Sequence, residues 1–252
     1  MKAIIIAAGA GKRMLPLTKN TPKCMLDFCG KTLLERHLAT LSSCGIRDVS
    51  VIKGYLAEKI NYPGLKYFFN DRFRHNNILN SLFYSEQQIK GDVIISYSDI
   101  LYPKSVLDKL ISSKDDISIV VDTVWRNAYE GRHAHPIQEA EKVNMSREKF
   151  VLNIGKNIEP NGDSDMEFIG MMKLSPEGSK IFKDISKIVK RDYWGKPFHE
   201  AEVFEKAYLT DMIQELVDRK ILVSCVTIQG GWREIDTIED YENAREELKE
   251  IL

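Results

Sequence analysis

The chain opens on a continuous apolar run, KAIIIA (residues 2–7), that leads straight into a basic glycine-containing loop, AAGAGKRMLPLTKNTPK (residues 7–23). An apolar run without alternation reads as a strand buried on both faces, which belongs inside a parallel sheet covered by helices. At the end of such a strand, Gly9 and Gly11 let backbone N–H groups approach an anion with no Cβ in the way. Lys12 and Arg13 add two charges, and a guanidinium grips phosphate oxygens in pairs. Two familiar phosphate cradles are excluded. The dinucleotide fingerprint needs glycine where Met14 stands, and a Walker A loop needs Ser or Thr where Arg13 stands. A β-turn with solvated charges is the alternative the loop alone leaves open.

Strand-like and helix-like segments then alternate. TLLERHLATLSSCG (32–45) repeats apolar residues at helical spacing and stops at Gly45. DVSVIK (48–53) and LKYFFN (65–70) read as strands, ILNSLFYSEQQI (78–89) as a helix and DVIISYSD (92–99) as a strand. A helix over 104–112 and the strand ISIVVD (117–122) continue the series. This pattern predicts an α/β fold with a doubly wound, mostly parallel sheet. After residue 123 come the β-like pieces KFVLNIG and EFIGMMKL and the turn EPNGDSD, so residues 124–175 read as a small β-rich insertion that returns to the core. Residues 176–220 read as mainly helical, ILVSCVTI (221–228) as the last strand and IEDYENAREELKEI as a C-terminal helix. One domain over 1–252 is the expected organisation.

The formal charge of −1 requires any anion site to be a local concentration of cations and speaks against general nucleic-acid binding. No apolar run reaches the length that spans a bilayer, and the one after Lys2 is too short for a secretory leader. Cys24, Cys29, Cys44 and Cys225 show neither C-x-x-C nor a histidine at metal spacing, as expected of free thiols in a reducing cytoplasm. A Cys–His nucleophile from Cys24 or Cys29 with His37 is disfavoured, because His37 lies beside Leu38 on an amphipathic helix. His133 and His135, in HAH, share a strand face but lack a third ligand at clear spacing, so they are not read as a metal site. The helical stretch 176–220 is a candidate homo-oligomer surface.

AIIIAAGAGKRMLPLTKNTPK resembles the N-terminal signature of the nucleotidyltransferases that make sugar nucleotides and related activated head groups. That signature runs apolar-Ala-Ala-Gly-x-Gly-x-Arg-x-x-Pro-Leu-Thr, then Pro-Lys, and Pro22-Lys23 has the usual spacing. The resemblance implies a Rossmann-like nucleotidyltransferase fold in which Ala8, Gly9, Gly11, Lys12 and Arg13 hold a nucleoside triphosphate. It implies that Lys23 stands between that triphosphate and the phosphoryl group of a second substrate, with Lys23 and Arg13 as the catalytic charges. NDRFRHNNILNSL resembles the segment beside the nucleobase and offers Asn76, Asn77 and Ser81; helix capping is the alternative for either asparagine. SYSD ends on Asp99, where the family keeps a Mg²⁺-binding aspartate, with Ser98 in place of the usual glycine. WREIDT supplies Asp236 as the second metal aspartate, although an acidic residue before TIEDY also suits a helix cap. Mg²⁺ on two carboxylates matches an ion that prefers oxygen ligands and shares its shell with phosphates.

WRNAYEGRHAHPIQEAEKV (125–143), IGKNI, DMEFIGMMKLSPEGSKIF and YLTDMIQELVDR (208–219) resemble a narrower set. These are the CTP-dependent cytidylyltransferases of phosphonate biosynthesis, similar to those that activate phosphocholine and those that feed phosphoramidate modification. The resemblance implies CMP transfer from CTP to a small phosphonate or phosphate, with 2-aminoethylphosphonate preferred and phosphocholine and phosphoglutamine as rivals. A sugar-1-phosphate nucleotidyltransferase is the wider alternative. A glycosyltransferase would not need the Arg13 and Lys23 pattern, and a non-catalytic nucleotide-binding module would not need both aspartates. Arg132, His133 and Glu139 are the acceptor-pocket candidates, with Arg132 as the partner of a phosphonate or carboxylate. Glu167 and Gly170 are expected to line the same cleft. Trp194 is a candidate wall for an ammonium group, or an ordinary hydrophobic anchor.

Overall fold

The computed structural model describes residues 1–159 and 165–249. The turn expected in EPNGDSD lies, apart from its two end residues, outside the described residues, as do the last positions of the expected C-terminal helix. The first half of the chain runs β1 (Lys2–Ala7), β2 (Asp27–Phe28), β3 (Lys31–Thr32), α1 (Leu33–Ser43), β4 (Asp48–Lys53), β5 (Lys66–Phe69), α2 (Ile78–Leu82), β6 (Val93–Tyr97), β7 (Ile100–Leu101), α3 (Lys104–Ser112) and β8 (Ile117–Asp122). The second half runs β9 (Lys142–Met145), β10 (Val151–Gly155), β11 (Asp165–Leu174), α4 (Pro176–Tyr193), α5 (Leu209–Asp218), β12 (Ser224–Ile228), β13 (Arg233–Glu234) and α6 (Ile238–Lys249).

The main sheet is mixed and mostly parallel, as the β-α-β rhythm predicts. β1 lies between β4 and β6, parallel to both, and β5 extends the sheet in parallel beyond β4. β1 takes this central place because Ala3, Ile4 and Ile5 leave almost no polar surface on either face. β8 and β12 form a second parallel pair. β11 joins the two groups and runs antiparallel to β6, β8 and β9. Its neighbour changes from β9 to β6 around Gly170, where the register with β8 also shifts. Gly170 has φ +81° there, and a Cβ on it would fall 2.4 Å from the Tyr97 ring, so only glycine fits. Helices α1 and α3 pack together, while α2, α4 and α5 form a second group.

Several boundaries differ from the sequence reading for local reasons. The helix expected over 78–89 is α-helical only to Leu82 and continues as a 3₁₀ segment, Phe83–Gln88, broken at Ser85, whose hydroxyl donates to the Leu82 carbonyl. The helical stretch 176–220 is interrupted after Tyr193, where Gly195 (φ +71°) and Pro197 cannot continue a helix. The last strand starts at Ser224 rather than at residue 221. Among the described residues, no helix is long and apolar enough to cross a membrane.

Candidate active site

The strand-to-loop junction after β1 opens into a cleft of about 370 Å³. Ala8, Gly9, Gly11, Lys12 and Arg13 line one wall of it, with Lys23 at the base. Gly11 has φ +56°, and a Cβ there would press within 3.1–3.2 Å of Thr18 and Lys23, so the loop needs glycine for shape as well as for conformation. Thr18 Oγ1 donates to the Gly11 carbonyl at 2.8 Å, and the Tyr55 hydroxyl donates to the carbonyls of Thr18 and Lys19. These hydrogen bonds, with 3₁₀ turns at Lys12–Met14 and Lys23–Met25, fix the loop. Asn76, Asn77 and Ser81 line the cleft beside it. Asn77 is the N-cap of α2, accepting the Ile78 N–H at 2.9 Å, as the capping alternative foresees. Asn76 and Ser81 are held by Asn70, whose fully buried amide donates to Asn76 Oδ1 at 2.9 Å and to Ser81 Oγ at 2.8 Å.

At the base, Lys23 is buried and bridges two carboxylates from distant parts of the chain. Its Nζ lies 2.7 Å from Asp99 Oδ2 and 2.6 Å from Asp236 Oδ1, and Arg13 also pairs with Asp236. A small antiparallel ribbon of β7 and β13 brings these acids together, with the Ile235 N–H donating to the Asp99 carbonyl at 2.8 Å. Burial opposes charge on Lys23, but Asp99, Asp236 and Glu234 outweigh it and raise its pKa. Burial opposes charge on Asp236 too, yet Lys23 and Arg13 hold it down at about 2. The capping alternative for Asp236 fails because Thr237 and Asp240 already form that cap. Thr237 Oγ1 accepts the Asp240 N–H, and Asp240 Oδ2 accepts the Asp236 and Thr237 N–H groups. The Asp236 carboxylate is left to face the cleft.

Asp99 Oδ1 is buried with no hydrogen-bond partner among the described residues. An orphaned buried carboxylate oxygen beside a second carboxylate fits a hard cation that takes oxygen ligands. Glu234, which sequence reasoning missed, stands next to them, and burial together with Asp236 and Asp99 lifts its pKa to about 7. The signal for it was present: Glu234 and Asp236 are two apart in an extended segment and so share a face. His135 was set aside for want of a third ligand, but the fold places it within reach of Glu234 and Asp236. Its Nδ1 accepts from Arg132 Nη2 at 2.8 Å, because a guanidinium can only donate. Burial and Arg132 lower its pKa to about 4, so it serves as a neutral acceptor here.

Three acceptor-pocket candidates are not where the sequence suggested. Arg132 lines a neighbouring cavity of about 360 Å³, and its guanidinium is already engaged with Asp240 (2.5 Å), His135 and Glu234 and packed on the Tyr129 ring. It ties the segment after β8 to α6 and is not free for a substrate anion. His133 is exposed and pairs with Glu239 at the start of α6. Trp194 follows α4 on an exposed face and lines a separate cavity with Phe83 and Tyr84. Glu139, Glu167, Gly170 and Ser98 do line the main cleft. So do Tyr97, Glu141, Lys156 and Tyr208, which lie within the stretches SYSD, WRNAYEGRHAHPIQEAEKV, IGKNI and YLTDMIQELVDR but are not singled out by them. Burial lifts the pKa of Glu141 to about 8, partly offset by Lys156. Tyr129 donates to Glu167 Oε1 at 2.6 Å, and burial raises the Glu167 pKa well above the carboxylate range. Cys24 and His37 are buried apart from any nucleophilic geometry; burial pushes Cys24 up to about 12 and His37 down to about 4.

The family described as the MobA-like NTP transferase domain matches residues 3–148. The chain is 31% identical over 253 residues to the CTP:phosphoglutamine cytidylyltransferase of Campylobacter jejuni, covering 96% of this chain and 98% of that protein. It is 31% identical over 115 residues to the 2-aminoethylphosphonate cytidylyltransferase of Lancefieldella rimae, covering 40% of this chain and 47% of that protein. Among solved structures, the CTP:phosphocholine cytidylyltransferase of Streptococcus pneumoniae matches with TM-score 0.72 at 20% identity over 98% of both chains. That last likeness is one of fold.

Proposed function

The chain belongs to the MobA-like NTP transferase family, and we propose that it transfers CMP from CTP to a small phosphonate or phosphate bearing an amino group. Candidate acceptors are 2-aminoethylphosphonate, phosphocholine and phosphoglutamine. The observation that carries the reading is Lys23, held 2.7 Å and 2.6 Å from two carboxylates in a cleft that Glu139, Glu141, Lys156 and Glu167 also line. The glycine loop and the Asn70-anchored pair, Asn76 and Ser81, form the nucleotide side. Glu139, Glu141 and Glu167 form the acceptor side; burial keeps Glu141 and Glu167 protonated, and an ammonium brought beside them favours their charged form, which a neutral sugar does not.

In the reaction an oxygen of the acceptor's phosphonate or phosphate attacks the α-phosphorus of CTP. The bond from that phosphorus to the oxygen bridging to the β-phosphate breaks, and pyrophosphate leaves. Both reactants are anions, so the barrier is set by charge and alignment, and no nucleophilic side chain is required. Arg13, Lys12 and the loop N–H groups neutralise the triphosphate. Lys23 faces the attacking oxygen and the α-phosphoryl group. Asp99 and Asp236, with Glu234 beside them, fit Mg²⁺, which when bound supplies charge neutralisation across the phosphates. Among the described residues all four cysteines are free thiols, in keeping with a reducing cytoplasm.

The test is pyrophosphate release from each of the four triphosphates, with the three amino acceptors and a sugar-1-phosphate, with and without Mg²⁺. Release confined to CTP with amino acceptors is expected. A sugar-1-phosphate turned over faster than any amino acceptor would sink the reading.

A further inference from the structure

In the lining of the same cleft, elements far apart in sequence assemble a cation and carboxylates that the chemistry at the α-phosphorus does not use. Lys156, just after β10, extends its Nζ to within 2.8 Å of Glu139 Oε2 and 4.4 Å from the centre of the Tyr208 ring. Glu141 stands close by, and all four side chains line the cleft. This placement is built by a relay of carboxylates. Glu200 accepts the backbone N–H groups of Lys156 and Asn157, each at 2.8 Å. Asp211 in turn accepts the N–H of Glu200 at 2.9 Å and that of Tyr208 at 2.7 Å. Gly155 admits the Glu200 carboxylate, which would lie 2.5 Å from a Cβ at that position. One relay therefore fixes both the cation and the ring beneath it.

We propose that the Lys156–Glu139 pair, with Glu141 beside it, selects the tail of the acceptor, and that this tail is an α-amino acid head group. The inference rests on the cytidylyltransferase reading and narrows it to acceptors carrying ammonium and carboxylate on one carbon. An ion pair fixed in direction is complementary to a zwitterion lying in the opposite direction, carboxylate on Lys156 and ammonium on Glu139, with the Glu141 carboxyl beside it as a further hydrogen-bond acceptor. A lone ammonium matches only the acidic half and leaves Lys156 facing a like charge. A quaternary ammonium would seek the Tyr208 ring, which Lys156 already covers. Glu200 and Asp211 touch neither substrate and act as positioning residues.

Lys156→Met keeps the length of the stem and removes the charge. The expected result is a rise of about 10–100-fold in KM for phosphoglutamine, with kcat and the KM for CTP within about twofold. For 2-aminoethylphosphonate, which has no carboxylate, KM changes by less than about threefold. Glu200→Gln shifts the same acceptor alone, by a smaller factor and in KM rather than kcat. Equal losses on both acceptors, or an unchanged KM for phosphoglutamine in Lys156→Met, overturn the proposal. Calorimetric titration of each acceptor in the presence of a cytidine nucleotide separates the two claims. Selective binding that Lys156→Met abolishes, without pyrophosphate release by the wild type, sinks the cytidylyltransferase reading and leaves the subsite standing. Pyrophosphate release with no discrimination lost in the variant does the reverse.

Discussion

The two walls of the cleft are made in different ways. The wall proposed to hold the nucleotide comes from one stretch, residues 8–23, whose glycines, cations and turn residues act through backbone shape and local charge. The acceptor wall takes Glu139 and Glu141 from beside β9, Lys156 from after β10, Glu167 from β11 and Tyr208 from the start of α5. A wall built from contiguous chain keeps its chemistry readable in order. A wall built by convergence depends on which side chains are already spoken for, and Arg132 is the case in point. Lys23 and Arg132 are both paired with carboxylates, but Lys23 lines the main cleft and Arg132 only the neighbouring cavity.

The largest effect expected is at the junction of the two walls. Lys23→Met removes the charge proposed to face the attacking group and leaves Asp99 and Asp236 crowded without their shared partner. A fall of about 10³-fold or more in kcat is expected with both substrates saturating. Because one half of a buried ion pair is stranded, stability should fall by about 3 kcal/mol as well. Thermal unfolding beside single-turnover rates separates the two effects. Near-normal turnover would mean that the loop only binds nucleotide, and the contrast between the walls would lose its chemical content.

Arg132→Met comes next. If Arg132 were the anion receptor suggested by its sequence context, acceptor KM would rise by about 30-fold or more with stability little changed. The geometry calls for the opposite: Asp240 and Glu234 lose a buried cation, so stability falls by about 3 kcal/mol while acceptor KM moves less than about threefold. Chemical denaturation and acceptor titration on the same variant decide between them.

Much of this was legible, and the limits have physical causes. The buried β1 run, the helix-strand alternation and the Gly-basic loop follow from periodicity and backbone freedom, which are local. Asp99 and Asp236 were found through their motifs, but that Lys23 lies between them depends on the β7–β13 ribbon, a pairing with no strong local pattern. Asn70 opens the NDRFRHNNILNSL segment but is not singled out by it; its importance comes from being buried where Asn76 and Ser81 both need a partner. Lys156 and Tyr208 are brought together by Glu200 and Asp211, acids that no sequence feature singles out. Glu234 could have been found from the two-residue spacing to Asp236, and His135 only with the fold in hand.

A smaller effect lies under the nucleotide wall. His37 is packed edge-on to Tyr102 at 5.2 Å, and burial lowers its pKa from 6.5 to about 4. The folded protein keeps it neutral while the unfolded chain takes up a proton below pH 6.5, so its contribution to stability is lost as pH falls from 6.5 towards 4. Between pH 7 and pH 5 this costs about 2 kcal/mol. His135 titrates in the same direction, so the measurement is a difference: His37→Phe should reduce the pH 7 to pH 5 loss in urea unfolding by about that amount. Parallel pH profiles for the two proteins would remove His37 from the account.

The smallest effect marks where the acceptor wall ends. Trp194 is about half exposed and lines a cavity that shares Asn76 with the main cleft but none of Glu139, Glu141 and Lys156, with its ring tilted 6.3 Å from Phe204. An aromatic wall for ammonium must put its ring face within about 6 Å of the cation, and from this position the Trp194 ring faces another cavity. Trp194→Ala should therefore leave KM for phosphocholine, the acceptor most dependent on an aromatic surface, within about twofold, and lower stability by less than about 1 kcal/mol. The Tyr208 ring offers the contrast, since it lies in the cleft beneath Lys156. A tenfold rise in phosphocholine KM for Trp194→Ala, with none for Tyr208→Leu, would move the acceptor wall to the far side of α4. It would also show that the convergence of Glu139, Glu141 and Lys156 serves the fold instead of the substrate.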